Sequence, residues 1–150
     1  MGLIKNKKAS KNTVKHNIKK ETGRVNGNSN KKINGVIQHA STDEFSSLKD
    51  ISGYTNDDLA TLVGTTHRTI RNKKTSGEFF DIAQTERLRK LTLLFEEGNE
   101  IFSNKEEFNN WLQKPAYGLD YDTPSELLKQ PGGLDKVFNE LRSIKFGDTV

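Results

Sequence analysis

Apolar residues recur at helical intervals from residue 41 to the end of the chain. No segment alternates apolar and polar positions as a half-buried strand would, so the pattern predicts an all-α fold. The first predicted helix begins with the capping-box sequence at 41–44 and ends at Gly53. Its apolar face consists of Phe45, Leu48 and Ile51.

Two further short helices are predicted, joined by a tight turn. Thr55 opens the first of them, whose apolar residues are Leu59, Ala60, Leu62 and Val63. Gly64 can adopt the positive φ of the turn, and Thr65 or Thr66 caps the next helix. Ile70 is the inward anchor of that helix, and a polar run containing glycine ends it.

A long helix is predicted over residues 82–102, because apolar residues and one glycine recur there at alternating steps of three and four. These positions are Leu88, Leu91, Phe95, Gly98 and Phe102. A second capping box, at 103–106, predicts a short helix that Pro115 ends. On the face it shares with Phe108 and Leu112, Trp111 is expected to pack in the core rather than to act as an interface hot spot.

Two more helices are predicted near the C-terminus. The sequence at 123–126 places a proline at the first helical position and Glu126 three residues after the capping Thr123. After a Pro-Gly-Gly break, a final amphipathic helix extends to about Phe146. Its inward face consists of Leu134, Val137, Phe138, Leu141 and Ile144.

The chain divides by charge as well as by pattern. Residues 1–40 carry ten basic side chains and one acidic one, with no sustained apolar period, which predicts a disordered basic arm. The arm is either a solubilising tail or a clamp on nucleic-acid phosphates. Residues 41–90 and 91–150 are predicted to be two small helical domains joined by the long helix, and together they hold 14 basic and 19 acidic side chains.

The sequence favours a cytoplasmic protein. It contains no cysteine, which excludes disulfides and thiolate chemistry. Its first residues lack the long apolar run of a signal peptide, and no stretch approaches the roughly 20 apolar residues of a membrane span.

The two short helices around Gly64 have the form of a helix-turn-helix. With Ile70 turned inward, helical geometry places Arg68 and Asn72 on the opposite side, flanked by Arg71. Arginine can pair bidentately with guanine and asparagine with adenine, whereas lysines at the helix end suit phosphates better. The predicted DNA-binding residues are Thr66, His67, Arg68, Arg71, Asn72, Lys73 and Lys74. The alternative is a helical hairpin whose basic face is merely solvated.

The C-terminal residues follow a specific succession, in which Trp111-Leu112 precedes Pro115 and a Thr-Pro-Ser-Glu-Leu-Leu run at 123–128 precedes Gly133. In the first half, a second set of residues follows a pattern of its own: Gly53, Leu59-Ala60, Gly64, Arg68-Thr69-Ile70, Arg71 and the stretch 85–88. In this order and spacing, residues 44–150 resemble the Xre/MbcA/ParS-like antitoxins, which join an Xre-type helix-turn-helix to a toxin-binding domain.

The resemblance implies a partner, since in this family the antitoxin typically blocks the active site of a RES-domain toxin that destroys NAD. The residues of the final helix that face away from their own domain, and the tail, would then bind the toxin: Lys136, Asn139, Glu140, Ser143, Phe146, Gly147, Asp148 and Val150. Gly147 would let the terminal carboxylate enter a cationic pocket. Residues 91–150 hold 11 acids and 6 bases, which either complements such a pocket or is a solvated surface.

No catalytic constellation is visible. The three histidines, His16, His39 and His67, are far apart in sequence, and no metal-ligand spacing occurs. The pair Gly132-Gly133 follows a helix rather than a strand, so it is not a phosphate-binding loop. We therefore expect a non-enzymatic protein without metal or cofactor.

The sequence as a whole predicts the antitoxin of a type II toxin–antitoxin system. It would inhibit a RES-domain toxin and, as a homodimer within a larger complex, bind double-stranded operator DNA to repress its own operon. One alternative is a stand-alone helix-turn-helix transcriptional repressor without a toxin partner, in which the C-terminal helices serve dimerisation. Another is a protein-interaction adaptor that has lost DNA binding.

Overall fold

A computed structural model of the protein describes residues 38–147. Its helices are α1 (Thr42–Ser52), α2 (Asn56–Val63), α3 (His67–Ser76), α4 (Ile82–Ile101), α5 (Lys105–Leu112), α6 (Pro124–Leu127) and α7 (Gly133–Phe146), with a 3₁₀ turn at Tyr117–Leu119. No strand occurs in this range, and the predicted all-α fold is confirmed. The predicted arm lies outside the described residues except for 38–40, and so do Asp148 and Val150.

The first three helices begin at the predicted caps. The Ser41 hydroxyl accepts a hydrogen bond from the backbone N–H of Glu44, whose carboxylate accepts one from the Ser41 N–H. The hydroxyls of Thr55 and Thr66 cap α2 and α3 by accepting the N–H of Asp58 and of Thr69, so the cap of α3 is Thr66 and not Thr65. Gly64 has φ 88° in the turn between α2 and α3, a left-handed conformation that glycine adopts without steric cost.

Two predicted caps in the second half are wrong. Ser103 has φ 67°, whereas an N-cap needs extended backbone, and the neighbouring Asn104 caps α5 by accepting the N–H of Glu107 at 2.8 Å. Thr123 makes no side-chain cap on α6, and Glu126 pairs with Lys129 at 2.8 Å instead of reaching back. Consequently α6 is a single turn, held by its buried residues rather than by a capping box.

Helix α4 is the central element of the fold. It packs against α1 and α2 from the N-terminal half and against α5 and α7 from the C-terminal half. The apolar residues buried between these helices form one continuous core. The predicted domain boundary between residues 90 and 91 lies inside α4, so the two predicted domains share their longest helix.

The start of the described chain belongs to this core, although residues 38–40 fell within the predicted arm. Ala40 is fully buried, and its N–H donates to the hydroxyl of the buried Thr85 at 2.9 Å. The His39 ring lies 2.7 Å from the carbonyl oxygen of Phe80. The core therefore includes a residue that precedes the capping box at 41–44.

Four aromatic rings pack around the C-terminal part of α4. Phe108 lies in the middle, edge-on to Phe95 and stacked on Phe102 and Trp111, with ring centroids 5.6 to 5.8 Å apart. Trp111 is half-buried and packs in the core, as expected from its helical face. Gly98 makes this packing possible, since a Cβ there would lie 2.3 Å from the Phe108 ring.

Side chains from neighbouring helices satisfy helix-end carbonyls that have no partner within their own helix. Arg87 of α4 donates from Nε to the carbonyl of Leu62 at the end of α2, and from Nη2 to that of Leu128 at the end of α6 at 2.6 Å. The amides of Asn99 and Asn109 donate to carbonyls in the last turn of α1, each at 2.9 Å. These bonds fix the ends of three helices.

Among the described residues, no helix has both the length and the apolar character needed to cross a membrane.

Replacing Gly98 with alanine should destabilise the protein, even though alanine favours helix more than glycine does. The added methyl group would displace the Phe108 ring from a packed cluster, at a cost of about 1–3 kcal/mol. Chemical denaturation measures this cost. Glu100→Ala, at an exposed position of the same helix, should change stability by less than about 0.5 kcal/mol, and a Gly98→Ala variant as stable as wild type would contradict the described packing.

Replacing Arg87 with alanine should lower the free energy of unfolding by about 1–3 kcal/mol, because two carbonyl groups lose their donor. The matched control is Arg89→Ala on the same helix. Arg89 makes a partly exposed ion pair with Glu44 at 3.1 Å, and its loss should cost less than about 1 kcal/mol. Equal effects of the two substitutions in denaturant titrations would argue against the role of Arg87.

Candidate functional site

One candidate surface is the outer face of α3. Ile70 is buried, and the Thr66 hydroxyl fixes the start of the helix by accepting the N–H of Thr69 at 3.1 Å. This orientation leaves the predicted DNA-binding residues Thr66, Arg68, Arg71, Asn72 and Lys74 exposed. Within residues 38–147, no carboxylate lies within 4 Å of the charged ends of the two arginines or of Lys74.

The other two predicted DNA-binding residues are engaged within the fold. Lys73 donates to the carbonyl of Phe79 at 2.9 Å and lies 3.8 Å from the Glu78 carboxylate, and its side chain is only 18% exposed. The His67 ring lies 3.8 Å from the carboxylate of Asp57 on α2. Lys73 is thus held against the loop after α3 and does not extend outward with Lys74.

The second candidate surface is the face of α7 that the sequence analysis assigned to the toxin. Leu134, Val137 and Leu141 are buried, so the opposite stripe of the helix is left to the surface. Four predicted toxin-binding residues line one groove of about 300 Å³: Lys136, Asn139, Glu140 and Ser143. Phe146 is 73% exposed at the end of the helix, followed by Gly147 at φ 72°.

The opposite wall of the groove is the segment 116–122, which contains the 3₁₀ turn. Gly118 brings this segment onto α7, because a Cβ there would lie 1.9 Å from a carboxylate oxygen of Glu140. Asp120 and Asp122 also line the groove, so three carboxylates face a single cation, Lys136. The groove is therefore acidic, and it suits a basic partner better than an acidic one.

Segment 116–122 also exposes two aromatic side chains that the sequence analysis did not select. Tyr117 is 71% and Tyr121 is 68% exposed. The segment has no helical period, and its only sequence signal is two tyrosines interspersed with glycine and aspartate. Such a pattern is typical of a loop and does not by itself indicate a binding surface.

A separate cavity lies between α2 and the end of α5. The described side chains that line it form no catalytic or metal-binding arrangement. The Tyr54 hydroxyl is buried at its wall and has no hydrogen-bond partner among the described residues. Burial, and then the nearby Asp58 carboxylate, raise the pKa of Tyr54, while Gln113 opposes the shift. The phenol is therefore neutral at physiological pH. No cluster of three potential metal ligands occurs among residues 38–147.

Comparisons with known proteins identify the C-terminal part. Residues 97–147 match the model of the antitoxin Xre/MbcA/ParS C-terminal toxin-binding domain. The chain also resembles, in three dimensions, a chain of the crystal structure of the M. tuberculosis MbcT–MbcA toxin–antitoxin complex, with a TM-score of 0.57 and 19% sequence identity. The likeness covers 73% of this chain and 96% of that one and shows a shared fold. No curated protein matches the chain.

The matched segment contains α5, the 3₁₀ turn, α6 and α7, and therefore both walls of the acidic groove. The succession of residues that suggested the family lies mostly in the same segment. Residues 97–147 are thus similar to the C-terminal toxin-binding domain of the Xre/MbcA/ParS antitoxins.

Proposed function

We propose that the protein is an antitoxin that blocks a RES-domain, NAD-degrading toxin in the cytoplasm and binds operator DNA to repress its own operon. The observation that carries the proposal is the match of residues 97–147 to a toxin-binding domain, in which four of the predicted toxin-binding residues line one acidic groove. The activity is inhibition by binding, which requires no catalytic residue.

The charge of the groove supports the toxin half of the proposal. An enzyme that degrades NAD must bind a pyrophosphate, and such a site presents cationic or hydrogen-bond-donating groups. Carboxylates on the antitoxin can pair with these groups and occupy the place of the substrate. Glu140 on α7 is the candidate for this role, and the exposed Phe146 would add apolar contact area.

The exposed basic face of α3 supports the DNA half. Arg68, Arg71 and Asn72 are side chains that can read guanine and adenine edges in the major groove, and Lys74 can reach a phosphate. Helix-turn-helix proteins usually bind two half-sites as dimers, so we propose that the chain acts on its operator as a homodimer. Lys73 would contribute to DNA only after leaving Glu78 and the Phe79 carbonyl.

Alanine substitution of Arg68 or Arg71 should weaken operator binding by about 1–3 kcal/mol and relax the base preference, without affecting the fold. Lys74→Ala should weaken binding to all sequences alike and reduce its salt dependence, whereas Lys73→Ala should do so less. Gel shifts with operator and random DNA at several salt concentrations measure these effects. Lys49→Ala, an exposed basic residue of α1, is the control and should leave binding unchanged; wild-type affinity in both arginine variants would refute the assignment of α3.

Truncation after Ile144 should abolish protection against the toxin while sparing DNA binding. It removes Phe146 and the tail but keeps the buried residues of α7. It also removes the ion pair between Lys145 and Glu97 at 3.4 Å, which is partly exposed and contributes little to stability. Growth and NAD level in cells that co-express the operon's RES-domain toxin provide the measurement.

The control for the truncation is Glu106→Ala, an exposed position of α5 outside the groove, which should protect fully. Full protection by the truncated chain would rule out a role for the tail. If the intact chain formed no toxin complex at all, the protein would instead be a stand-alone repressor.

A further inference from the structure

Segment 116–122 presents two tyrosines side by side on the surface of the toxin-binding domain. Their rings meet edge to face, with centroids 5.7 Å apart, and about two thirds or more of each side chain is exposed. Single exposed apolar residues need no explanation, but a paired aromatic surface of this kind is typical of binding sites. Tyrosine is also among the residues that contribute most to binding energy at interfaces.

The backbone of the segment is closed on itself by hydrogen bonds. The N–H of Ala116 donates to the carbonyl of Asp122 at 3.1 Å, and the N–H of Tyr121 donates to the carbonyl of Ala116 at 3.0 Å. The N–H of Asp122 donates to the carbonyl of Leu119 at 2.9 Å. Ala116 and Leu119 are buried and attach the segment to the core, so the backbone that carries the two rings is held in place before any partner binds.

The segment that carries these rings has two residues in an unfavourable backbone conformation. Asp120 and Tyr121 are consecutive non-glycine residues with φ 55° and 65°, and such conformations cost about 1–3 kcal/mol each. Aspartate tolerates the left-handed region, but a bulky tyrosine rarely occupies it. The hydrogen bonds of the segment and its contact with α7 through Gly118 maintain the conformation.

The surroundings of the tyrosines indicate what they would bind. Asp120 and Asp122 flank Tyr121 in sequence and line the acidic groove together with Glu140. The segment is therefore continuous with the α7 face, and both lie within the domain matched as toxin-binding. The fitting partner is a protein surface with an apolar pocket and a basic rim.

We propose that Tyr117 and Tyr121 are the aromatic anchors by which the antitoxin holds its toxin, and that they seat in an apolar pocket with a basic rim on the toxin. This inference rests on the proposed function and extends the toxin-binding surface from α7 to segment 116–122. Because the backbone of the segment is fixed in advance, its ordering costs little conformational entropy on binding, and the contact area of the rings contributes to affinity.

The test is the affinity of the full-length chain for the toxin purified from its own operon, measured by calorimetry. Tyr117→Ala and Tyr121→Ala should each weaken binding at least tenfold, which corresponds to about 1.4 kcal/mol. Phe79→Ala is the matched control, because Phe79 is 58% exposed but lies outside the toxin-binding domain, and it should bind like wild type. The tyrosines are exposed, so both variants should keep the wild-type thermal transition within a few degrees.

A further variant tests the charge separately from the rings. Asp120→Asn keeps a residue that accepts the left-handed backbone but removes one carboxylate from the groove. It should slow association with the toxin at low salt, and the difference from wild type should shrink as salt rises.

The outcomes separate the inference from the proposed function. If both tyrosine variants bound the toxin with wild-type affinity, the anchor role would be overturned and the antitoxin function would remain intact. A wild-type chain that does not bind the toxin would overturn both. Tyrosine variants that lose self-association while binding the toxin normally would assign the rings to a second copy of the chain and overturn the inference.

Discussion

Besides the shared apolar core, one guanidinium group joins the two halves through the two carbonyls it satisfies. Every α-helix ends in carbonyls without an internal partner, and a carbonyl buried without a donor is costly. Arg87 donates to the ends of α2 and α6, helices that come from opposite halves of the chain. Since Arg87 itself lies on α4, the central helix sets where both of these ends lie. Helix α4 therefore supports both the half that contains the basic face and the half that contains the groove.

The two candidate surfaces differ in charge, which limits what each can bind. The outer face of α3 is basic, and no acidic residue occurs between residues 61 and 77. The groove between α7 and segment 116–122 is acidic. A polyanion is attracted to the first surface and repelled by the second, and a cationic protein surface behaves in the opposite way. Electrostatics alone therefore keeps nucleic acid and a basic protein partner from competing for the same place.

The features of the fold that depend on local chemistry could be predicted from the sequence. The caps Ser41, Thr55 and Thr66 act through hydrogen bonds within three residues, and the long helix follows from periodicity. The choice between Ser103 and Asn104 as a cap could not be made locally, because both residue types are competent and the backbone after α4 decides between them. The outward position of the α3 arginines likewise followed from a single inward residue, Ile70.

Features that depend on contacts distant in sequence were not predictable. Lys73 and Lys74 are adjacent lysines that the sequence does not distinguish. In the structure, the loop after α3 holds Lys73 through the Glu78 carboxylate and leaves Lys74 exposed. Tyr117 and Tyr121 lie in a segment without periodicity, and its shape comes from hydrogen bonds of its own backbone and from its contact with α7. The groove exists because that contact brings two separate stretches of chain together.

The aromatic cluster around Phe108 has a practical consequence, because it contains the only tryptophan of the chain. The indole of Trp111 is half-buried, stacked on Phe108 and tilted against Phe102, so its emission depends on their packing and on the local access of water. No such fluorophore exists on α3. The protein thus carries an intrinsic optical label in its toxin-binding domain, and this label reports on that half of the molecule without chemical modification.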